Sequence, residues 1–144
     1  MHILYDYAMS FVGKPYIWGG DDPIAGLDCS GLCVEILQAA GALPRNYDTT
    51  AHGLYLRFRS MGKRILTPDF GDLVFYGKHD SISHVGFCMD NYLMLEAGGG
   101  GSKTKTLQDA IDQNAYVRIR PIKSRSDLIA ICRIDYSAGL RKLS

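Results

Sequence analysis

Neither sign of charge dominates this sequence. Sixteen Lys and Arg residues stand against fifteen Asp and Glu residues, so the formal net charge is +1, and no run of like charge occurs. A polyanion or an acidic membrane surface therefore has no basic stretch to attract it. We expect no nucleic-acid partner and no membrane partner.

The sequence also lacks long apolar runs and a signal peptide. No stretch approaches the roughly 18 apolar residues that span a membrane. The start of the chain, Met1 to Tyr7, has neither the basic residues nor the apolar stretch of a secretory signal. The sequence therefore predicts synthesis in a cytoplasm.

Cysteine is scarce and is not arranged for cross-linking or for zinc. The four cysteines contain no CxxC pair, and 144 residues with 47% apolar content can bury a core without disulfides. We expect four free thiols and one domain that covers residues 1–144. The cysteines are Cys29, Cys33, Cys88 and Cys132.

Apolar spacing divides the chain into a helical first part and a strand-rich second part. Helical spacing covers residues 2–12, the segment from Asp28 to Gly41 and, more weakly, residues 49–60, and a loop rich in Gly, Pro and Asp lies between the first two. Five short strands are predicted at 72–76, 85–89, 92–96, 116–120 and 128–134, with a short helix at 107–114. Helices followed by strands predict an α+β fold with an antiparallel sheet.

Cys29 lies where the second helix is predicted to begin. Asp28 is a residue type that caps helices, and the first turn offers the sulfur unpaired N–H groups and the positive end of the helix dipole. This setting favours the thiolate, which is the reactive form of cysteine. The alternative is that Asp28 is an ordinary cap and Cys29 a small buried apolar residue, a description that fits Cys33 well.

A nucleophilic cysteine needs a base, and His84 is the best placed of the four histidines. It lies where a strand begins, with Val85 and Phe87 pointing to the opposite face. Taken alone, a histidine at such a position is more often a surface or capping residue. The other three lie near the terminus, in a polar helix and in a turn-like stretch: His2, His52 and His79.

Glu96 lies on the predicted return strand of a hairpin that starts at His84. A three-residue loop at 89–91 would set His84 directly opposite Glu96, whereas a two-residue loop at 90–91 would turn Glu96 to the other face. The first arrangement pairs apolar with apolar side chains, so we expect it. A carboxylate there can accept the Nδ1–H of the imidazole and stabilise the imidazolium. The alternative is an ordinary solvent-facing carboxylate.

Four sequence motifs follow one another along the chain, and the polar Glu96 comes after them. The motifs are Gly13 to Gly20, Asp28 to Leu32, Phe70 to Tyr76 and Ser83 to Phe87. Together they resemble the NlpC-type cell-wall endopeptidases, a family of papain-like cysteine peptidases. The resemblance spans residues 3 to 100. It implies a papain-like α+β fold in which N-terminal helices pack against a C-terminal antiparallel sheet.

The resemblance also implies a reaction. The family hydrolyses peptide bonds in peptidoglycan stem peptides, commonly the bond between D-glutamate and the diamino acid, and needs no metal or cofactor. By motif position, Cys29 is the nucleophile, His84 the base and Glu96 the third, polar residue. Many family members carry histidine, asparagine or glutamine in the third place, so glutamate is a departure from the pattern.

Further roles follow from the same resemblance. Tyr16 matches the family tyrosine whose hydroxyl can support the oxyanion together with the backbone N–H of Cys29. Asp28 and Ser30 match positions that receive the free amine of a stem peptide, and Ser83 is a further substrate-binding candidate. Trp18 is interpreted as a packing residue.

Two other functions remain open for the same residues. An amidase or acyltransferase can use the triad on another amide or ester, because fold and triad do not select the acyl donor. An inactive copy can serve as a structural module of a phage tail or another larger assembly, although intact Cys29 and His84 argue against it. Without a signal peptide, we expect the protein to reach the cell wall as a virion component or as an exported effector.

Overall fold

A computed structural model describes residues 2–22, 24–61 and 63–137 of the chain. The prediction of one domain over residues 1–144 therefore includes a segment, 138–144, that lies outside the described residues, and it stays a prediction. The helices are α1 His2–Met9, α2 Cys29–Ala39, α3 Ala51–Met61 and α4 Leu107–Asp112, with a short 3₁₀ helix at Ile122–Ser124. No helix within the described ranges is long and apolar enough to cross a membrane.

The strands form one large and one small sheet. The large sheet has the order β3-β8-β4-β5-β6-β7, and every neighbouring pair in it is antiparallel. The small sheet pairs two two-residue strands, β1 with β2. The bounds are β1 Asp21–Asp22, β2 Gly26–Leu27, β3 Lys63–Arg64, β4 Leu73–Lys78, β5 Ser81–Cys88, β6 Leu93–Gly98, β7 Tyr116–Pro121 and β8 Leu128–Arg133.

The helices of the first half pack against the sheet of the second half. Helices α2 and α3 both contact β5, and α2 also contacts β6. This arrangement confirms the predicted α+β fold, with N-terminal helices on a C-terminal antiparallel sheet. The four helices and five longer strands correspond to predicted elements with small shifts in their ends, whereas the two-residue strands β1, β2 and β3 were not predicted because they are too short to show alternation.

Helix α1 ends earlier than its apolar spacing predicts. After Met9 the backbone bonds change to the tighter i to i−3 pattern, with Phe11 N–H donating to Ala8 O at 3.2 Å and Val12 N–H to Met9 O at 3.2 Å. Gly13, at φ +91°, then reverses the chain. The periodic side chains continue into this tightened turn, which is why the pattern overestimates the helix.

The sheet is covered on both faces. One face joins α2 and α3 in the main core, where a fully buried leucine or isoleucine contributes about 1.5–3 kcal/mol. The other face carries a smaller cluster around Tyr76, whose hydroxyl donates to Ile122 O at 2.5 Å. Tyr76 pairs with His84 across β4 and β5, so the histidine belongs to this second face.

Asp72, in the third motif block, connects two neighbouring strands of the large sheet, β4 and β8. Its side chain is 2% exposed and accepts hydrogen bonds from Arg133 Nε and Nη2, both at 3.1 Å, and from Asp69 N–H at 2.8 Å. These bonds link the start of β4 to the end of β8. The block therefore contains a structural carboxylate.

Candidate active site

Cys29 is the first residue of α2, as the capping pattern predicts. Asp28 is the N-cap, and its carboxylate accepts from Gly31 N–H at 2.7 Å, from Gly19 N–H at 3.1 Å and from the Ser30 hydroxyl at 3.2 Å. A single carboxylate thus joins the helix start to the glycine-rich loop before it. Cys29 therefore lies in the first turn of the helix, where backbone N–H groups have no partner within the helix.

The two cysteines of α2 differ in their surroundings. Cys29 is half-buried and lines a cleft, whereas Cys33 is fully buried in the main core. Burial raises the pKa of the Cys33 thiol well above its ordinary value, and the nearby charge of Cys29 adds to this. All four cysteines are free. Of the pair on this helix, only Cys29 is open to a substrate.

A β-bulge positions His84. Tyr76 pairs with His84 while the next residue, Gly77, pairs with Ile82, so Ser83 is an extra residue in β5. Gly77 has φ +133°, and a Cβ there would lie 2.7 Å from Ser81 O and from Ser83 N. Only glycine fits opposite the bulge. The strand therefore begins at Ser81, four residues before its predicted start.

His52 supports the bulge from α3, a role that sequence reasoning missed. Ile82 N–H donates to His52 Nδ1 at 3.1 Å, so an imidazole on a helix satisfies the strand just before the bulged residue. The interpretation of His52 as a residue of a polar helix gave no hint of this contact. The contact could be predicted only if the packing of α3 against β5 were already known.

His84 and Glu96 are in direct contact. His84 Nε2 lies 3.1 Å from Glu96 Oε1, and the two residues are 7% and 4% exposed. This contact rules out a solvent-facing Glu96. It brings together the two residues that the sequence placed on one face of the hairpin.

The predicted register of that hairpin is wrong, although its face assignment holds. Phe87 pairs with Leu95 and Cys88 with Met94, whereas the prediction paired Val85 with Leu95. Met89 N–H donates to Leu93 O at 2.8 Å, so the three-residue loop is 90–92 instead of 89–91. The loop length is still odd, so Glu96 keeps its face but lies diagonal to His84.

The loop is displaced because of a side-chain turn that the sequence reasoning did not consider. Asp90 Oδ1 accepts from Tyr92 N–H at 2.8 Å and from Leu93 N–H at 2.6 Å. An aspartate that bonds the backbone two and three residues ahead stabilises a turn that starts at that aspartate.

The predicted ring nitrogen is also wrong. Glu96 accepts from Nε2 of His84 and not from Nδ1. Cys29 lines the same cavity as His84, and with Nε2 on Glu96 the nitrogen left for an interaction with the thiol is Nδ1. The imidazole can therefore use one nitrogen for the carboxylate and the other for the thiol.

The neighbours of His84 and Glu96 shift the pKa values of both residues. Burial alone lowers the pKa of His84, but its hydrogen bonds to Cys29 and Glu96 and their negative charges outweigh burial and raise it from 6.5 to about 9. Burial alone would raise the pKa of Glu96, yet the hydrogen bond and charge of His84, followed by the charges of Arg120 and Arg125, hold it below its ordinary value. The pairing with Glu96 therefore favours the imidazolium form of His84 at neutral pH.

Two cavities meet at Cys29. The larger has a volume of about 760 Å³ and is lined by Asp28, Ser30 and Thr49 among others, whereas the smaller has about 250 Å³ and is lined by His84 and Glu96. The residues that line both are Tyr16, Trp18, Cys29 and Ser83. The structure thus brings all seven predicted site residues to one cleft: Tyr16, Asp28, Cys29, Ser30, Ser83, His84 and Glu96.

Two aromatic residues of the first motif block lie beside the sulfur. Tyr16 is 5% exposed, and burial, with the negative charges of Cys29 and Asp28, raises the pKa of its hydroxyl, which therefore stays protonated and can donate. Trp18 is 54% exposed and lines both cavities, so its interpretation as a packing residue is wrong. Its indole is available to a bound molecule.

No group of three or more His, Cys, Asp or Glu side chains placed to hold a metal ion occurs in the part of the chain that the structure describes.

Comparisons with known sequences agree with the motif blocks. The model of the NlpC/P60 family matches residues 13–121. The bifunctional muramidase/DL-endopeptidase CwlT of Bacillus subtilis is 32% identical over 120 residues, which are 81% of this chain and 35% of CwlT. The probable endopeptidase p60 of Listeria monocytogenes is 36% identical over 97 residues, 67% of this chain and 19% of p60. This chain spans about a third or less of the length of these relatives.

Comparisons with solved structures support the same fold. The NlpC/p60 domain of the peptidoglycan hydrolase SagA superposes with a TM-score of 0.66 at 20% identity, over 91% of this chain and 96% of that one. The P60 domain of the Mycobacterium avium subspecies paratuberculosis antigen MAP1204 gives a TM-score of 0.62 at 27% identity, over 94% and 98%. The family resemblance inferred from the motifs is confirmed: the chain belongs to the NlpC/P60 family.

Proposed function

We propose that the protein is a cysteine peptidase that hydrolyses peptide bonds in peptidoglycan stem peptides, with the D-glutamyl–diamino acid bond as its target. The observation that carries this proposal is the buried contact of His84 with Glu96 in a cavity that Cys29, the first residue of α2, also lines. The names of the relatives, which include a DL-endopeptidase and probable endopeptidases, support the reaction class.

Acylation starts from the thiolate and imidazolium pair. The Cys29 sulfur attacks the amide carbon, a C–S bond forms, and the carbonyl oxygen becomes an oxyanion that accepts from the Tyr16 hydroxyl and the Cys29 backbone N–H. Nδ1–H of His84 then protonates the leaving nitrogen, and the C–N bond breaks. The acyl group stays on the sulfur as a thioester, and the amine departs.

Deacylation reverses the role of the histidine. Neutral His84 takes a proton from water at Nδ1 while the water oxygen attacks the thioester carbon. The C–S bond breaks, the carboxylic acid leaves, and the thiolate and imidazolium are restored. Glu96 accepts from Nε2 throughout, which holds the ring in the orientation that both steps need.

The larger cavity supports recognition of the free amine at the start of a stem peptide. Asp28 and Ser30 line it together with Asp21 and Asp48, and no Lys, Arg or His is among the described residues that line it. A carboxylate has several acceptor sites, so Asp28 can cap the helix and accept from an ammonium group at once. Ser83 lines the cavity from the other wall.

The substrate places the site of action at the cell wall. The route by which the protein reaches the wall, as a phage component or as an exported effector, stays a prediction from the sequence.

Digestion of a purified substrate tests the proposal. Sacculi are incubated with the wild type, with Cys29→Ala and with Cys33→Ala, which removes a thiol one turn further along the same helix, and the fragments are analysed by mass spectrometry. We expect the wild type and Cys33→Ala to release fragments with a new diamino acid amine, and Cys29→Ala to release none. Equal release by wild type and Cys29→Ala, or no release by any protein, contradicts the proposal.

The same experiment separates the other acyl-transfer reactions. If an added amine is found joined to the D-glutamyl group in place of water, the protein is an acyltransferase. If the new ends come from a different amide, it is an amidase of another specificity.

A further inference from the structure

The two cavities beside Cys29 carry opposite charge. Asp21, Asp28 and Asp48 line the larger one, and none of its lining residues in the described part of the chain is basic. Arg120 and Arg125 line the smaller one with His84, and its single carboxylate, Glu96, is bonded to the histidine. A peptide that lies across the sulfur therefore meets a negative wall on one side and a positive wall on the other.

The reaction decides which side holds the leaving group. His84 has to reach the leaving nitrogen with Nδ1, and His84 lines the smaller cavity and not the larger. The amino acid that departs as the amine therefore occupies the smaller cavity, and the acyl part occupies the larger. The arginines lie on the side of the departing amino acid.

Arg125 is held in place at this wall. Its Nε and Nη2 donate to the two carboxylate oxygens of Asp127 at 3.0 and 2.9 Å, and its guanidinium carbon lies 5.1 Å from the centre of the Tyr76 ring. This pairing orients the guanidinium and still leaves N–H groups unused.

Arg120 differs because no hydrogen-bonded partner among the described residues holds its guanidinium. It lies in β7 opposite Met94, on the same face of the sheet as Glu96, and its side chain is exposed. Among the described residues it makes no side-chain hydrogen bond or ion pair. All five of its N–H donors are available to a ligand.

Glycine backbone forms another part of the lining of the smaller cavity. Gly98 to Gly101 line the smaller cavity. A Cβ at Gly99 would lie 2.6 Å from Arg118 Nη2, and one at Gly100 would overlap the Tyr16 ring. Glycine at these two positions lets the loop pack this closely, and the cavity that the loop lines has a volume of about 250 Å³, which suits a single amino acid.

We propose that Arg120 and Arg125 bind a carboxylate of the amino acid that leaves as the amine, so that the protein selects stem peptides whose residue after the cleaved bond carries a free carboxylate. The inference rests on the proposed function and adds the specificity of the leaving side. Guanidinium groups bind carboxylates with paired, charge-assisted hydrogen bonds, and an amide in the same place offers one acceptor and no charge. With the acidic wall on the acyl side, the two charges also fix the direction in which the peptide lies.

Matched soluble stem peptides test the inference. In one pair, the α-carboxylate of the leaving diamino acid is free or amidated, and in a second pair the side-chain carboxylate is free or amidated. We expect kcat/KM to be about tenfold higher for the free acid in at least one pair, mainly through KM, and that pair identifies the carboxylate that is bound.

Substitutions locate the effect. Arg120→Gln is expected to slow cleavage of the preferred acid about tenfold and to leave its amide partner unchanged, which abolishes the preference. Lys123→Gln removes the same charge from an exposed residue of the 3₁₀ helix outside the cavity lining and is expected to keep the preference.

Each other outcome overturns the inference. If the wild type cleaves the acid and the amide equally well in both pairs, the arginines do not bind a carboxylate of the substrate. The proposed function is unaffected by that result. If Arg120→Gln slows acid and amide equally, Arg120 acts through Glu96 and not on the substrate. If the wild type cleaves none of the peptides, the proposed function fails together with the inference.

Discussion

Cys29 and His84 meet in one cleft, yet different kinds of structure hold them. Cys29 depends on contacts within a short segment, in which Asp28 bonds the first turn of the helix and the loop before it. His84 depends on contacts between residues far apart in sequence, through its pairing with Tyr76, the bond from Ile82 to His52 and its own bond to Glu96. Cys29, the proposed nucleophile, is positioned locally, and His84, the proposed base, is positioned by the tertiary structure.

This difference predicts unequal sensitivity to distant changes. A helix start survives small movements of the sheet, because its cap moves with it. No local cap of this kind moves with His84. A displacement of about 1 Å at a reacting group can lower a rate by about 10²-fold. Substitutions that act on only one of the two residues can therefore test the comparison.

Removal of the base has the largest expected effect. His84→Ala leaves the helix start intact and removes the proton donor for the leaving amine, so we expect kcat/KM for a stem peptide to fall about 10³-fold. Cys29 should still be labelled by iodoacetamide before Cys33, which is buried. His79→Ala changes an exposed histidine in the turn before β5 and is the matched control. Activity of His84→Ala near that of the wild type contradicts the assignment.

Distortion of the bulge tests the tertiary support of the base without touching it. A Cβ in Gly77→Ala would lie 2.7 Å from Ser81 O and Ser83 N at a φ of +133°, so we expect a loss of about 1–3 kcal/mol in the free energy of unfolding and a further loss of activity. Gly13→Ala is the control, because Gly13 also has a positive φ but no heavy atom within 4 Å of its Cβ position. Urea unfolding and kcat/KM are measured for both. Equal effects of the two substitutions would mean that the bulge does not position His84.

Neutralisation of Glu96 should have a moderate effect that depends on pH. The acylation step needs the imidazolium, so wild-type activity should fall as the pH rises through about 9, the pKa of His84. Glu96→Gln removes one of the two anions that raise this pKa. We expect the alkaline limb to move to lower pH by about one unit, equivalent to about 1.4 kcal/mol, with about a tenfold lower rate at neutral pH.

The stability of the protein should follow the same group. Because the pKa of His84 in the folded protein lies above its ordinary 6.5, its ion pair stabilises the fold fully below pH 6.5, and this contribution is lost as the pH rises through about 9. In Glu96→Gln the loss should begin at a lower pH. An alkaline limb at the same pH in both proteins contradicts the role of Glu96.

Changes at Asp28 should have the smallest effect on stability and separate its two roles. Asparagine caps helices as well as aspartate, so Asp28→Asn should change the free energy of unfolding by less than about 0.5 kcal/mol, whereas Asp28→Ala should lower it by about 1–2 kcal/mol. Asp28→Asn should nevertheless raise KM for a stem peptide with a free amine, and not for its N-acetylated form. An unchanged KM would leave Asp28 with the capping role alone.

The residues near Cys29 could be predicted because their signals are short. A capping aspartate, the following cysteine and helical apolar spacing lie within one segment, and α2 begins and ends close to the predicted residues. The same reasoning found His84 and Glu96 and their common face. It failed for the hairpin register, because Asp90 bonds the turn backbone and moves the loop by one residue.

Three other features of the site could not be predicted from the sequence, because each depends on contacts between residues that are far apart in the chain. The choice of Nε2 for Glu96 depends on the orientation of a ring packed between β-strands and α2. The contact of His52 with Ile82 depends on how α3 docks on the sheet. The exposure of Trp18 depends on which neighbours cover its loop. None of these neighbours is close in sequence.

The sequence by itself determined the helix start at Cys29, the order of helices and strands, and the family, because capping, periodicity and motif order are carried by neighbouring residues. Only the tertiary structure decided which histidine nitrogen contacts Glu96, where the hairpin turns, and which charges line each side of the cleft. Strand pairing, bulges and packing join residues from distant parts of the chain, and their geometry results from all the elements that meet there.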